Sequence, residues 1–338
     1  MDKKEEILRL FPGKLREILG QVPGNFEDIQ EIRLRAGRPL LLVKGNEEFF
    51  LSLSGKPVTA IDRAVSITAS QIRETVEYMG SYSLYAFEEE VRRGFLTLQG
   101  GHRVGLAGQA VLESRPGAGY GQIKTLKYIS FLNVRIAHEK KGCASKLLPL
   151  LQDSGKIQST LFISPPRCGK TTILRDLIRL VSDGGPSFSG MTVGVVDERS
   201  ELGACCQGIP QNDLGMRTDV LDCCPKADGM MMLIKTMAPQ VVAVDEIGSE
   251  EDFRAIEYAR SCGCRLLATV HGDSIEDLKE KPILKRLVEE KTFSRYVVLG
   301  NLPLPGTVLQ VYGRDQSLLY GNPAEKRTEK RPAGRISL

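Results

Sequence analysis

The chain has 338 residues, 46 basic and 42 acidic side chains and a formal charge of +4. So small an excess, with both signs interspersed, excludes a global nucleic-acid-binding signature, so any anionic partner must be held by a local site. The length suffices for two domains with a core in each, and no apolar run approaches the roughly 18 residues of a membrane span, which leaves peripheral membrane contact only.

Residues 1–20, MDKKEEILRLFPGKLREILG, lack the apolar centre of a secretion signal and read as one charged amphipathic helix, consistent with a cytoplasmic protein. EIRLRAGRPLLLV, residues 31–43, predicts two alternating strands about the turn Ala36-Gly37-Arg38-Pro39, and EEFFLSL continues the meander. Thr68 and Gln71 form a capping box that opens a helix to about Met79. FLTLQ, the turn Gly100-Gly101-His102 and RVGLAGQAVL predict a hairpin, with a Gly/Pro-rich loop at 115–121 and a strand YISFLNVRIA after it. Charge and glycine interrupt the pattern near residues 140–142, where the first domain is expected to end.

From residue 157 short apolar runs alternate with helical stretches: QSTLFI, MTVGVVD, QVVAVDE, CRLLATVHG and YVVLG, each followed or preceded by a helix. That grammar predicts an α/β domain with a mostly parallel sheet covered by helices. The expected division is an α+β N-terminal domain over 1–140, the α/β domain over 141–323 and a flexible basic tail over 324–338. The cysteine pairs Cys205-Cys206 and Cys223-Cys224, with Cys262-Gly263-Cys264, lack the C-x-x-C spacing of structural zinc and are expected to be reduced, packing thiols.

The first of the apolar strands runs into ISPPRCGKTTILRDLI, residues 163–178, close to a phosphate-binding loop but with Ser164 at the first-glycine position. Such a loop surrounds nucleotide phosphates with backbone N–H groups, aims a helix N-terminus at them, and adds a lysine charge and a hydroxyl for Mg²⁺. Ser164, Pro165, Pro166, Arg167, Cys168, Gly169, Lys170, Thr171 and Thr172 are therefore expected to cradle ATP, with Lys170 on the phosphates and Thr171 on Mg²⁺. A chance GKT at a helix start would not explain both the preceding strand and the following helix.

PQVVAVDEIG ends a buried strand in Asp245 and Glu246, as a Walker-B strand does. Asp245 is expected to hold the Mg²⁺ shell through water or Thr171, and Glu246 to polarise the attacking water as general base. MTVGVVDERSEL closes with Asp197, Glu198 and Glu201 about Arg199, so Asp197 or Glu198 could share the water or the metal. CRLLATVHG delivers His271 to the same sheet edge, where ligands bind in open α/β sheets, as a sensor of the γ-phosphate. Arg217, Arg254, Arg260, Arg103 and Arg135 are candidates to complete the site from a neighbouring subunit.

The order phosphate loop, acidic box, Walker B, T-x-H-G resembles the type II and type IV secretion and pilus-retraction ATPases, and the N-terminal EIRLRAGRPLLLV and RVGLAGQAV segments resemble the PAS-like domain of those motors. SPPRCGKTT, VVDERSE, GIPQNDLGMRTDVLDCCPKA and PQVVAVDEIG together are similar to a sporulation family related to them, over about residues 30 to 320. The resemblance implies a RecA-like P-loop NTPase, a homo-hexamer, working in the mother cell on the forespore membrane with the membrane channel proteins of a secretion-like complex. It carries the nucleotide loop to Lys170 and Thr171, the acidic box to Asp197 and Glu198, the Walker-B glutamate to Glu246 and the histidine box to His271. Two other classes are weighed beside the motor. A RecA-like nucleic-acid-binding protein has little support, since aromatics are 6% and Trp is absent. An ATP-binding assembly factor with little turnover is opposed by Glu246.

Overall fold

The computed structural model describes residues 2–45, 47–80, 87–113, 122–186 and 188–321. The expected loop at 115–121 and the tail from Ala324 lie outside the described residues. Two compact units emerge: Met1–Glu139 with Ala204–Asn212, and Lys140–Gly203 with Asp213–Leu338.

The first unit opens with two helices, α1 (Lys3–Leu8) and α2 (Gly13–Gly20), rather than the single one expected. Pro12 separates them: it lacks an amide hydrogen, disfavours helix at the residue before it, and sits extended as the N-cap of α2. Their apolar faces, with Ile7, Phe11, Leu15 and Leu19, join the core of a sheet. Its strands are β1 (Ile29–Arg35), β2 (Leu41–Lys44), β3 (Glu47–Leu51) and β4 (Pro57–Val58). After α3 (Ala69–Met79) and α4 (Glu88–Arg93) come β5 (Phe95–Thr97), β6 (Arg103–Glu113) and β7 (Gln122–Arg135).

The seven strands lie in the order β4-β3-β2-β1-β7-β6-β5, every pairing antiparallel. Ile32 faces both Leu42 and Val134 across the centre, and all three are fully buried. Thr68 caps α3 reciprocally: its hydroxyl accepts from Gln71 N at 3.2 Å and the Gln71 amide oxygen accepts from Thr68 N at 2.9 Å. His102, wholly buried, lies 2.8 Å through Nε2 from Glu6 Oε1 and accepts the Ala137 N–H at Nδ1 at 3.2 Å. Gln211, from the returning segment, accepts the Gly100 N–H at 2.9 Å.

In the second unit β8 (Thr160–Ser164) runs into α5 (Lys170–Asp183), followed by β9 (Val193–Asp197) and β10 (Thr218–Asp222). Then come α6 (Lys226–Met237), β11 (Val241–Val244), α7 (Glu250–Ser261), β12 (Arg265–His271), α8 (Ile275–Lys279) and α9 (Pro282–Glu289). The unit ends in β13 (Arg295–Gly300), β14 (Thr307–Gly313) and β15 (Leu318–Gly321). The order is β10-β9-β11-β12-β8-β13-β14-β15, parallel from β10 to β13 and antiparallel over the last two pairings.

Alternation along the central strands explains the layering. Leu161 and Ile163 join one core with Met230, Ile256 and Leu287 of α6, α7 and α9; Phe162 between them joins another with Ile173, Leu177 and Val181 of α5. A mixed α/β sheet covered on both faces results. The outer strands, β10 on one side and β14 with β15 on the other, are additional to the five expected. Their side chains are mostly half-buried, so their apolar signal is diluted.

Candidate functional site

The parallel strands β8, β9, β11 and β12 end on one edge, and there the charged residues gather. Ser164 is the last residue of β8, fully buried and in register with His271 of β12. Its carbonyl accepts from Gly272 N at 3.2 Å. The residue is thus part of the sheet rather than of the loop entrance, and a small buried side chain meets the need there without glycine's backbone freedom.

Beyond it Pro165 is half-buried while Pro166 and Arg167 are exposed, Arg167 with φ 61°. The buried Cys168 donates its thiol to Pro166 O at 3.6 Å. Gly169 has φ 78°, and a Cβ there would stand 3.0 Å from Gly306 N, the same N–H that donates to Cys168 O at 2.9 Å. Both the left-handed backbone and the close approach demand glycine at this position. Gly169 N-caps α5, so the first turn of that helix, with Lys170, Thr171 and Thr172, points its free N–H groups at the edge. The Thr172 carbonyl accepts the Cys143 thiol at 3.7 Å.

Lys170 is buried on this turn, and its ammonium donates to Ser164 O and Pro165 O, each at 3.3 Å, and to His271 Nδ1 at 3.0 Å. Burial pulls its pKa below the usual lysine value, against the opposing charges of Asp245 and Glu246. Thr171 Oγ1 donates to Asp245 Oδ2 at 2.7 Å. Asp245 Oδ1 accepts the hydroxyl of Thr269, which in turn accepts the Glu246 N–H at 2.9 Å. Thr269 and His271 stand two apart on β12 and so project to the same side; Thr269 was not singled out from the sequence, although that spacing was the available signal.

Glu246 adopts φ 53°, a left-handed conformation uncommon outside glycine and sustained only where neighbours over-determine it. Oε1 lies 3.0 Å from His271 Nε2, and Oε2 lies 2.7 Å from Arg199 Nη1. A lysine ammonium offers no acceptor, so His271 must accept at Nδ1 and carry its proton on Nε2, donating it to Glu246. Lys170, His271, Glu246 and Arg199 thus form one continuous chain of contacts. It stays within reach of solvent, since the His271 side chain is 43% exposed and that of Arg199 62%.

The acidic box lies beside this chain of contacts. Asp197 reaches the edge, but its buried carboxylate accepts the N–H groups of Glu201, Leu202 and Gly203 at 2.8, 2.9 and 2.7 Å. Burial above all, with Asp222 opposite on β10, pushes it up to about 6 in spite of those donors. Glu198 is ion-paired with Lys226. Neither carboxylate contacts Lys170, His271 or Glu246; both hold the segment that follows β9.

Of the arginine candidates, Arg217 donates to Ser182 O at 2.9 Å, Arg260 lies 3.4 Å from Glu257, Arg135 lies 3.6 Å from Glu31, and Arg103 stacks on Phe95 at 3.6 Å. Arg254 is exposed. The eight cysteines stand as thiols rather than in disulfides, and among the described residues no group of three or more His, Cys, Asp and Glu is arranged to hold a metal unaided.

A family model described as "Sporulation stage III, protein AA" matches residues 1–319. The chain belongs to the sporulation stage III protein AA family. Within that family, "Stage III sporulation protein AA" of Bacillus subtilis (strain 168) is 42% identical over 315 residues, 93% of this chain and 96% of that protein. Among solved structures, the pilus retraction motor PilT with bound ADP superposes with a TM-score of 0.53 at 15% identity, covering 88% of this chain and 80% of that one. The ATPase DotB of Legionella pneumophila gives 0.52 at 13% identity, over 86% of this chain and 78% of that one. At such identities the likeness is one of fold, which this chain shares with that pilus retraction motor and that ATPase. Among its described residues no helix is long and apolar enough to cross a membrane.

Proposed function

We propose that this member of the sporulation family is a Mg²⁺-dependent ATPase whose second unit is a RecA-like P-loop domain and whose first is its PAS-like companion. The observation that carries the reading is the Thr171–Asp245 hydrogen bond at 2.7 Å, made on the same sheet edge as Lys170, Glu246 and His271. A hydroxyl and a carboxylate oxygen this close are the residues that would hold a Mg²⁺ ion beside the phosphates. The residues present fit that ion; when bound, it neutralises charge on the phosphate oxygens of ATP.

Residues 167–172, after the two prolines and through the first turn of α5, bind the phosphates through backbone N–H groups, while Ser164, Pro165 and Pro166 shape the approach to them. Lys170, held by two carbonyls and an imidazole, exchanges them for phosphate oxygens, a charge-assisted and therefore stronger set of bonds. Glu246 takes a proton from the attacking water, with His271 holding Oε1. Release of Lys170 frees Nδ1 of His271, so the imidazole registers phosphate binding. The names of the two fold neighbours, a retraction motor and an ATPase, support the same reading. By extension from the family's name and that fold, the protein works as a homo-hexamer in the mother-cell cytoplasm, peripherally on the forespore membrane, powering or assembling a channel with membrane partners.

The test is phosphate release from Mg·ATP by the purified chain beside Lys170→Ala. Turnover lost in the variant while its melting profile is kept supports the proposal; equal turnover in both overturns it.

A further inference from the structure

The segment after β9 spends its carboxylates on its own shape. Asp197 gathers three successive N–H groups, Glu198 is held by Lys226, and Ser200 stands at φ 53°. From α5, Arg175 clamps the far side, donating to Leu202 O at 3.0 Å and Glu201 O at 2.5 Å. A segment so fixed on both sides sends one long side chain into the site: Arg199, whose Nη1 lies 2.7 Å from Glu246 Oε2.

We infer that Arg199 is a positioning residue for Glu246, supplied by the same chain, and that the acidic box serves to present this cation. The inference rests on the ATPase reading above. A glutamate carboxylate turns freely about its last bond, a broad torsion without sharp wells. His271 fixes Oε1 and Arg199 fixes Oε2, so the plane of the carboxylate, and with it the lone pair offered to water, is set by two anchors from two different strand ends. With one anchor gone the base still binds its partner but samples many orientations, and positioning of this kind is a large component of rate. Stability is little involved, because an ion pair whose arginine is so exposed contributes almost nothing to folding.

The experiment compares steady-state ATP hydrolysis by the full chain with Arg199→Ala and Arg199→Lys, alongside thermal melting. The expected result is a fall in kcat of roughly tenfold for the alanine variant, with KM within about twofold and the melting temperature unchanged. Lysine, a cation able to reach Oε2 without the guanidinium fork, should recover part of the loss. An alanine variant with wild-type kcat, a loss carried by KM, or a lysine variant no better than alanine overturns the inference while leaving the ATPase reading intact. A wild-type chain without turnover overturns both.

Discussion

In the antiparallel sheet of the first unit, charged side chains find partners on their own or neighbouring strands: Arg33 lies 2.6 Å and Arg135 3.6 Å from Glu31. In the second unit residues as distant in sequence as Lys170, Arg199, Glu246 and His271 meet in one chain of contacts. The difference is one of strand direction. Successive parallel strands all finish on the same edge, so each β-to-α turn delivers its last residues to one place, whereas antiparallel strands finish alternately at opposite ends. Convergent chemistry follows from the parallel sheet, and local pairing from the meander.

Four measurements sharpen or break that contrast. The largest effect is expected from Lys170→Ala, which removes the only lysine in the network: binding of a fluorescent ATP analogue and turnover should both vanish, with folding retained. Glu246→Gln comes next, lowering turnover by about 10²–10⁴-fold while the analogue still binds. Loss of binding in that variant would argue that Glu246 is structural.

Thr269→Val keeps the shape but leaves the Glu246 N–H and Asp245 Oδ1 without the hydroxyl they share. It should cost about 1–3 kcal/mol in urea unfolding and lower turnover several-fold; an unchanged unfolding midpoint would show that water replaces the hydroxyl.

The smallest effect belongs to the first unit. Burial holds the His102 imidazole down to about 4, below its ordinary 6.5, and the Lys3 charge acts in the same direction. Between those values the unfolded chain binds the proton and the folded one does not, so the stabilisation is complete above pH 6.5 and is lost as pH falls through about 4. His102→Gln should flatten the urea midpoint over that window without altering nucleotide binding. A wild-type midpoint that is already flat would refute the assignment, and loss of nucleotide binding would refute the local character of the pairing.

Much of this is legible in the sequence, for a physical reason in each case. The Thr68–Gln71 box and the five central strands are local patterns, and the alternation of apolar runs with helices forces a parallel sheet, hence a common edge. Residues at the ends of those strands could therefore be nominated by position alone. What contacts them could not: Asp197 and Arg199 are two apart, and only the turn made by Glu201 to Gly203 decides that the carboxylate is buried under its own segment while the guanidinium reaches Glu246. Pro12 was likewise outweighed by the amphipathic pattern on either side of it, though it removes an amide and breaks the helix.

Gly169 and Gly306 lie against each other backbone to backbone, the first opening α5 and the second closing the turn between β13 and β14. Neither position can acquire a side chain independently: at 169 a Cβ meets the amide of 306, and at 306 it meets Ile173, 3.3 Å away, with φ 88° besides. The curvature of the loop before α5 is therefore set in part by a hairpin more than a hundred positions downstream. A side chain added at either glycine must therefore be accommodated on both segments at once, although the two are far apart in sequence.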